Sequence, residues 1–253
     1  MRSTTVDIST PDGTADAYLI LPEGAGPNPA VLLFMDAFGL RPRLEEMAGR
    51  IADRGYAVLV PNLFYRAGRA PLVDLSGIDD PERRGTIFQK IMPQIQALDT
   101  AAIVRDAGAY LDYLQGLPDV ADGPVAAVGY CMGGTNALKA MEAYPDRIAT
   151  LASFHAGRVV GDAPDSPHRA VGQITGEVYF AHADNDSSMT PEHIAALESA
   201  LREAGVTHTS EVYEGAPHGF TMSDTASHHE AGEQRHWERL FELLDRRMPV
   251  RAG

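Results

Sequence analysis

The chain has 253 residues, 44% of them hydrophobic, with 35 acidic and 21 basic side chains and a formal charge of −14. Such an acidic balance argues against a general affinity for nucleic acid, whose phosphates require a basic face. One cysteine excludes an intrachain disulfide or a cysteine-rich metal site and suits a reducing cytoplasm, and no apolar run approaches membrane-spanning length.

Taken in chain order, apolar runs of strand length alternate with amphipathic stretches, which predicts an α/β fold around a mainly parallel sheet. The length fits one domain over 1–253. Ala17 to Leu21 reads as an early strand and Ala30 to Met35 as a strand buried on both faces. Leu44 to Arg54 reads as a helix stopped by Gly55, and Tyr56 to Val60 as a strand stopped by Pro61. From Asn62 to about Pro81 the chain is irregular, the pattern of a long loop that shapes a pocket. Helical periodicity returns over Glu82 to Leu98 and Thr100 to Leu114. Pro124 to Val128 is a strand and Thr135 to Met141 a helix. Ile148 to Phe154 and Glu177 to Ala181 are strands, followed by a helix from Pro191 to Ala204, a last strand over Thr209 to Tyr213 and a closing helix from Ala226 to Met248.

The chemistry concentrates at Gly129-Tyr130-Cys131-Met132-Gly133-Gly134, where strand turns sharply into helix. Glycines flank such a turn because side chains there would strike the neighbouring strand or helix. The turn lifts the thiol out of the sheet and sets it at a helix N-terminus, which favours negative charge on sulfur or on an oxyanion beside it. A lone cysteine can equally be a small core residue, so partners decide. A free thiol ionises near pH ~8.5 and needs a base at neutral pH. Of nine histidines, His218 follows the last strand between Pro217 and Gly219, at the sheet end where α/β folds place their chemistry. A carboxylate to orient it is available in the loop after the Glu177 strand, as Asp184 or Asp186. Nucleophile, acid and histidine then follow one another in α/β-hydrolase order. The N–H of Met132 and, from the loop after the Ala30 strand, that of Ala37 are the expected oxyanion donors. His228-His229-Glu230-Ala231-Gly232-Glu233 departs from the His-Glu-x-x-His zinc pattern at Glu233, so no metal is expected.

Together these segments, with Val60 to Arg66, Ser153-Phe154-His155-Ala156-Gly157 and His218-Gly219-Phe220, resemble the dienelactone hydrolase family of α/β-hydrolases over nearly the whole chain. A cysteine at the elbow is the most specific part of the likeness. The resemblance implies an α/β-hydrolase fold and a cytoplasmic enzyme that cleaves a small ester or lactone through a thioester, without cofactor. It assigns the triad as Cys131, Asp186 and His218, since Asp186 with Met189 and Pro191 matches the family's spacing for the acid. Asp36 stands where members usually carry a glutamate that modulates the thiol. Members that cleave dienelactone hold a substrate carboxylate with arginines, one of them two residues after the His-x-Phe phenylalanine, where this chain has Met222. Arg66, Arg83, Arg84 and Phe220 are the remaining candidate substrate contacts. The alternative is a non-catalytic small-molecule-binding protein that keeps the pocket.

Overall fold

The protein, described here over residues 1–24 and 26–250 by a computed structural model, is built on one eight-stranded sheet. The strands are β1 (Arg2–Thr10), β2 (Gly13–Leu21), β3 (Ala30–Phe34), β4 (Ala57–Pro61), β5 (Val125–Tyr130), β6 (Ile148–Phe154), β7 (Glu177–Ala183) and β8 (His208–Tyr213). They run in the order β1-β2-β4-β3-β5-β6-β7-β8. β1 and β2 form an antiparallel hairpin, β2 pairs antiparallel with β4, and every pairing from β4 to β8 is parallel. All residues of β3, β4 and β5 are buried, which is why they read as unbroken apolar runs.

The helices are α1 (Pro42–Ala52), α2 (Pro81–Ala97), α3 (Thr100–Gln115), α4 (Met132–Ala143), α5 (Pro191–Glu203) and α6 (Glu230–Arg247). α4 packs on β5 and β6 with α3 beside it. α1 and the turn after it reach α6 through long side chains, with the Arg50 guanidinium 4.4 Å above the Trp237 ring and that of Arg54 4.8 Å above Phe241. Helix starts follow local chemistry: Asp80 accepts from the Arg83 N–H ahead of α2, and Asp99 from the Ala102 N–H ahead of α3. No helix among the described residues is long and apolar enough to cross a membrane.

Two readings need correction, and a third gains detail. β1 is a full strand that the sequence pattern missed, because this edge strand is largely exposed and its residues are mostly polar. α6 begins at Glu230 rather than near Ala226, because the His229 side chain accepts from the Gly232 N–H and caps it there. The long segment after β4 is ordered by Asn62, whose side chain donates to Asp16 and to the Gly68 carbonyl and accepts from the Phe64 N–H.

Most buried apolar residues form one core around the sheet. A second, smaller cluster stands apart from it, formed by Val73, Ile78, Ile87 and Ile91 from the loop and α2 together with Ala37 from the loop after β3. The rings of Phe38 and Phe88 meet edge to face beside it, 5.6 Å between centroids.

Candidate active site

Cys131 joins β5 directly to α4 and has φ 54° and ψ −122°, a backbone geometry that non-glycine residues rarely adopt. The flanking glycines have a steric cause. A Cβ on Gly129 would strike the Gly133 carbonyl, and one on Gly133 would strike the carbonyl oxygens of both Phe34 and Met35. The start of α4 therefore rests against the end of β3, which brings the Asp36–Gly39 turn next to the thiol. Neither the Ala37 N–H nor the Met132 N–H donates to a protein acceptor among the described residues.

His218 lies in the loop after β8, with Nε2 3.0 Å from Cys131 Sγ and Nδ1 2.5 Å from Asp186 Oδ2. Asp186 is nearly buried, and its Oδ1 accepts from the Ser188 N–H and hydroxyl at 2.8 and 2.7 Å. Burial works against the Asp186 charge, but His218 and the two Ser188 donors outweigh it and bring its pKa down to about 2. Burial likewise opposes the charge on His218, but Asp186 and then Cys131 raise its pKa to about 10. An imidazole bridging thiol and carboxylate in this way can take the proton from sulfur while remaining fixed at its other nitrogen. Asp184 lies elsewhere: its carboxylate accepts from the Gly215 N–H at 2.9 Å, tying this loop to the one that carries His218.

Asp36 departs from its expected place. Its Oδ1 accepts from the Phe38 N–H and, at 2.7 Å, from Arg41 Nη1, while Oδ2 accepts from Arg41 Nη2 at 2.8 Å. Both oxygens are thus engaged by Arg41 rather than by the thiol. The side chain is a methylene shorter than the family's glutamate, and the guanidinium five residues on captures it. Arg41 also donates to Asp224 and approaches Met222 Sδ at 3.3 Å. No sequence signal marked Arg41 as part of this corner.

The expected substrate contacts also lie elsewhere. Arg66 forms two bonds to Asp106 and is paired with Asp12. Arg83 donates to the carbonyls of Ser76 and Asp74, bracing its own loop. Arg84 is exposed on α2. Phe220 is fully buried, packed on Tyr213 and His155 at 5.1 and 4.9 Å between centroids, and offers no surface to a ligand. The histidines beyond His218 serve structure: His228 pairs with Glu233, His229 caps α6, and the buried His236 bonds to the Tyr130 hydroxyl at 2.9 Å. Among the described residues no group of three or more His, Cys, Asp or Glu side chains converges as a metal site would.

Sheet order, sharp elbow and loop positions define the α/β-hydrolase fold. The same fold recurs in an acylaminoacyl peptidase of Pyrococcus horikoshii, which is 14% identical with a TM-score of 0.69 and matches 100% of this chain and 42% of that one. Within that fold, residues 15–248 match the family described as the dienelactone hydrolase family, and the chain belongs to it. It is 27% identical over 246 residues to the carboxymethylenebutenolidase of Rhodococcus opacus, covering 95% of this chain and 90% of the relative. A dienelactone hydrolase-like promiscuous phosphotriesterase from metagenomic libraries superposes with a TM-score of 0.80 at 25% identity, covering 98% of this chain and 99% of the other.

Proposed function

We propose that this member of the dienelactone hydrolase family hydrolyses small carboxylic esters or lactones with Cys131 as nucleophile, and that its substrate carries no carboxylate. The observation that carries the first part is the continuous contact from Asp186 through His218 to Cys131, at 2.5 and 3.0 Å. With the shared proton held on His218 Nε2, sulfur attacks the carbonyl carbon, and the resulting oxyanion is held by the N–H groups of Ala37 and Met132. Collapse breaks the C–O bond, and the departing alkoxide takes the proton from His218, leaving a thioester. Water then gives a proton to His218 and its oxygen to the acyl carbon. The C–S bond breaks, and sulfur recovers the proton. Asp186 holds the ring in the tautomer that both steps require.

The second part rests on where the arginines go. Arg66 and Arg83 are committed to Asp106, Asp12 and backbone carbonyls. Arg41, whose Nη2 lies 3.3 Å from Met222 Sδ, is matched by two carboxylates, so the Asp36, Arg41 and Asp224 cluster carries a net negative charge. Such a corner repels a substrate carboxylate instead of holding it. The test compares ester and lactone pairs that differ only by a carboxylate, in wild type, Cys131→Ala and His218→Ala. Turnover of the uncharged member, lost in both variants, is the expected result. Turnover that survives Cys131→Ala refutes the nucleophile, and a preference for the carboxylate-bearing member refutes the substrate class.

A further inference from the structure

His155 follows β6 directly and holds a second unusual backbone, with φ 40°. Its own N–H donates to the Ala181 carbonyl at 2.7 Å, which prolongs the pairing of β6 with β7 by one residue. The ring is fully buried. Nδ1 accepts from the Cys131 N–H at 3.2 Å, an N–H that is also held by the Phe154 carbonyl at 3.0 Å. Nε2 lies 2.8 Å from Thr221 Oγ1. Because Nδ1 accepts, the ring is neutral with its proton on Nε2, and that proton is donated to Thr221. Burial first, then the neighbouring His218 and His236, hold its basicity well below the ordinary imidazole value, against a weaker pull from Asp186.

The ring therefore touches three things at once. It bonds the elbow residue at its strained backbone, stands edge-on to His218 at 5.5 Å between centroids, and bonds the residue three positions after His218. The two left-handed residues, Cys131 and His155, are joined to each other across adjacent strands. A backbone of this kind is strained and persists only where its surroundings hold it.

We propose that His155 is a positioning residue whose neutral imidazole locks the Cys131 backbone and the His218 loop into mutual register. The proposal rests on Cys131 being the nucleophile. If the ring served only as packing, phenylalanine would replace it and asparagine would not. If its acceptor nitrogen matters, the order reverses, since an asparagine Oδ1 stands close to the place of Nδ1.

The experiment compares wild type, His155→Phe and His155→Asn for kcat and KM on an uncharged aryl ester, for melting temperature, and for the rate at which iodoacetamide alkylates Cys131. His155→Phe is expected to lose ~10–100-fold in kcat with KM little changed, as a misplaced reacting group does. His155→Asn is expected to recover most of that loss. Wild-type kcat in His155→Phe, or no recovery in His155→Asn, overturns the proposal. Should His155→Phe fail to fold, Thr221→Val removes the partner of Nε2–H without changing volume. It should lower kcat several-fold while Thr221→Ser does not, and equal rates in wild type and Thr221→Val overturn the proposal. Alkylation reads the only thiol in the chain without ester turnover. Slower labelling in His155→Phe than in His155→Asn is expected, and equal labelling counts against the register role. Absent ester turnover in wild type, or turnover surviving Cys131→Ala, instead refutes the nucleophile reading on which this rests, and the alkylation rates then still decide whether His155 sets the register of Cys131.

Discussion

Arg41 grips Asp36 with two parallel hydrogen bonds, Nη1 to Oδ1 at 2.7 Å and Nη2 to Oδ2 at 2.8 Å, and both side chains are almost wholly buried. Asp224, about a third open to solvent, meets the same guanidinium from the other side. Burial opposes the charge on Arg41, and the two carboxylates more than offset it. The pair anchors the turn that carries Ala37, so the acid after β3 shapes the backbone around the site instead of approaching the sulfur.

Removing one partner of this pair is expected to cost more than removing both. Arg41→Leu leaves the Asp36 carboxylate buried and unpaired, which costs ~3–5 kcal/mol. Asp36→Leu combined with Arg41→Leu removes the stranded charge and should recover part of the loss. Urea denaturation of the two variants decides it, and an equal or larger loss in the double variant contradicts the account.

Asp186 and His218 make a pH-dependent contribution to stability. The folded pKa of Asp186 is depressed to about 2, so its stabilisation is present above the unfolded value near ~3.9 and lost as pH falls towards 2. The folded pKa of His218 is raised to about 10, so its share is complete below ~6.5 and lost as pH rises through 10. Asp186→Asn should therefore cost on the order of 2 kcal/mol near pH 5–6. The gap to wild type should close at pH 2 and narrow towards pH 10, and a gap independent of pH in denaturant titrations contradicts the assignment.

Much of this architecture was legible in the sequence, for identifiable reasons. β3, β5 and β6 read clearly because strands buried on both faces are built almost wholly from apolar residues. The elbow was legible because only glycine fits against the Phe34 and Met35 carbonyls. The residues alone left Asp184 and Asp186 open, and only the spacing shared with the family favoured Asp186: both sit in one short loop, and what separates them in space is that Asp184 turns to Gly215 and Asp186 to His218. Arg41 was invisible because its role depends on Asp224, 183 residues away. His155 stood within a recognisable motif, but nothing local reveals that its ring bonds the backbone of the next strand.

Glu142 in α4 is a second titrating element, away from this chemistry. One carboxylate oxygen is buried with no partner among the described residues, and burial raises its pKa to about 8 against a weaker pull from Lys139. For a carboxyl raised in the fold, stability is complete below the unfolded value near ~4.3 and lost as pH rises through 8. Glu142→Gln should match wild type at pH 5 and exceed it at pH 9 by ~1–2 kcal/mol, read as a few degrees in melting temperature. A variant less stable than wild type at pH 9 rules this out.

Two glycines in helices should respond in opposite directions to alanine. Gly133→Ala drives a methyl group into two backbone carbonyls that cannot move aside, with an expected loss of more than ~3 kcal/mol. Gly85 in α2 has open space around it, and alanine there should gain ~0.5–1 kcal/mol through the unfolded chain and helix propensity. Paired thermal melts measure both, and a tolerated Gly133→Ala would show that α4 and β3 do not meet as described.

Ala37 belongs to the small cluster beneath α2 and not to the central core. In the proposed mechanism the methyl group and the N–H of this one residue thus face two tasks, seating an outer helix and receiving a developing charge. Pressure on the outside of the molecule reaches the chemistry by this route: a change at Ile87 or Ile91, remote from sulfur and imidazole, shifts the stage on which the oxyanion forms while leaving Cys131, His218 and Asp186 untouched. Substitutions along α2 are therefore expected to tune the rate of the proposed reaction without altering the reacting groups.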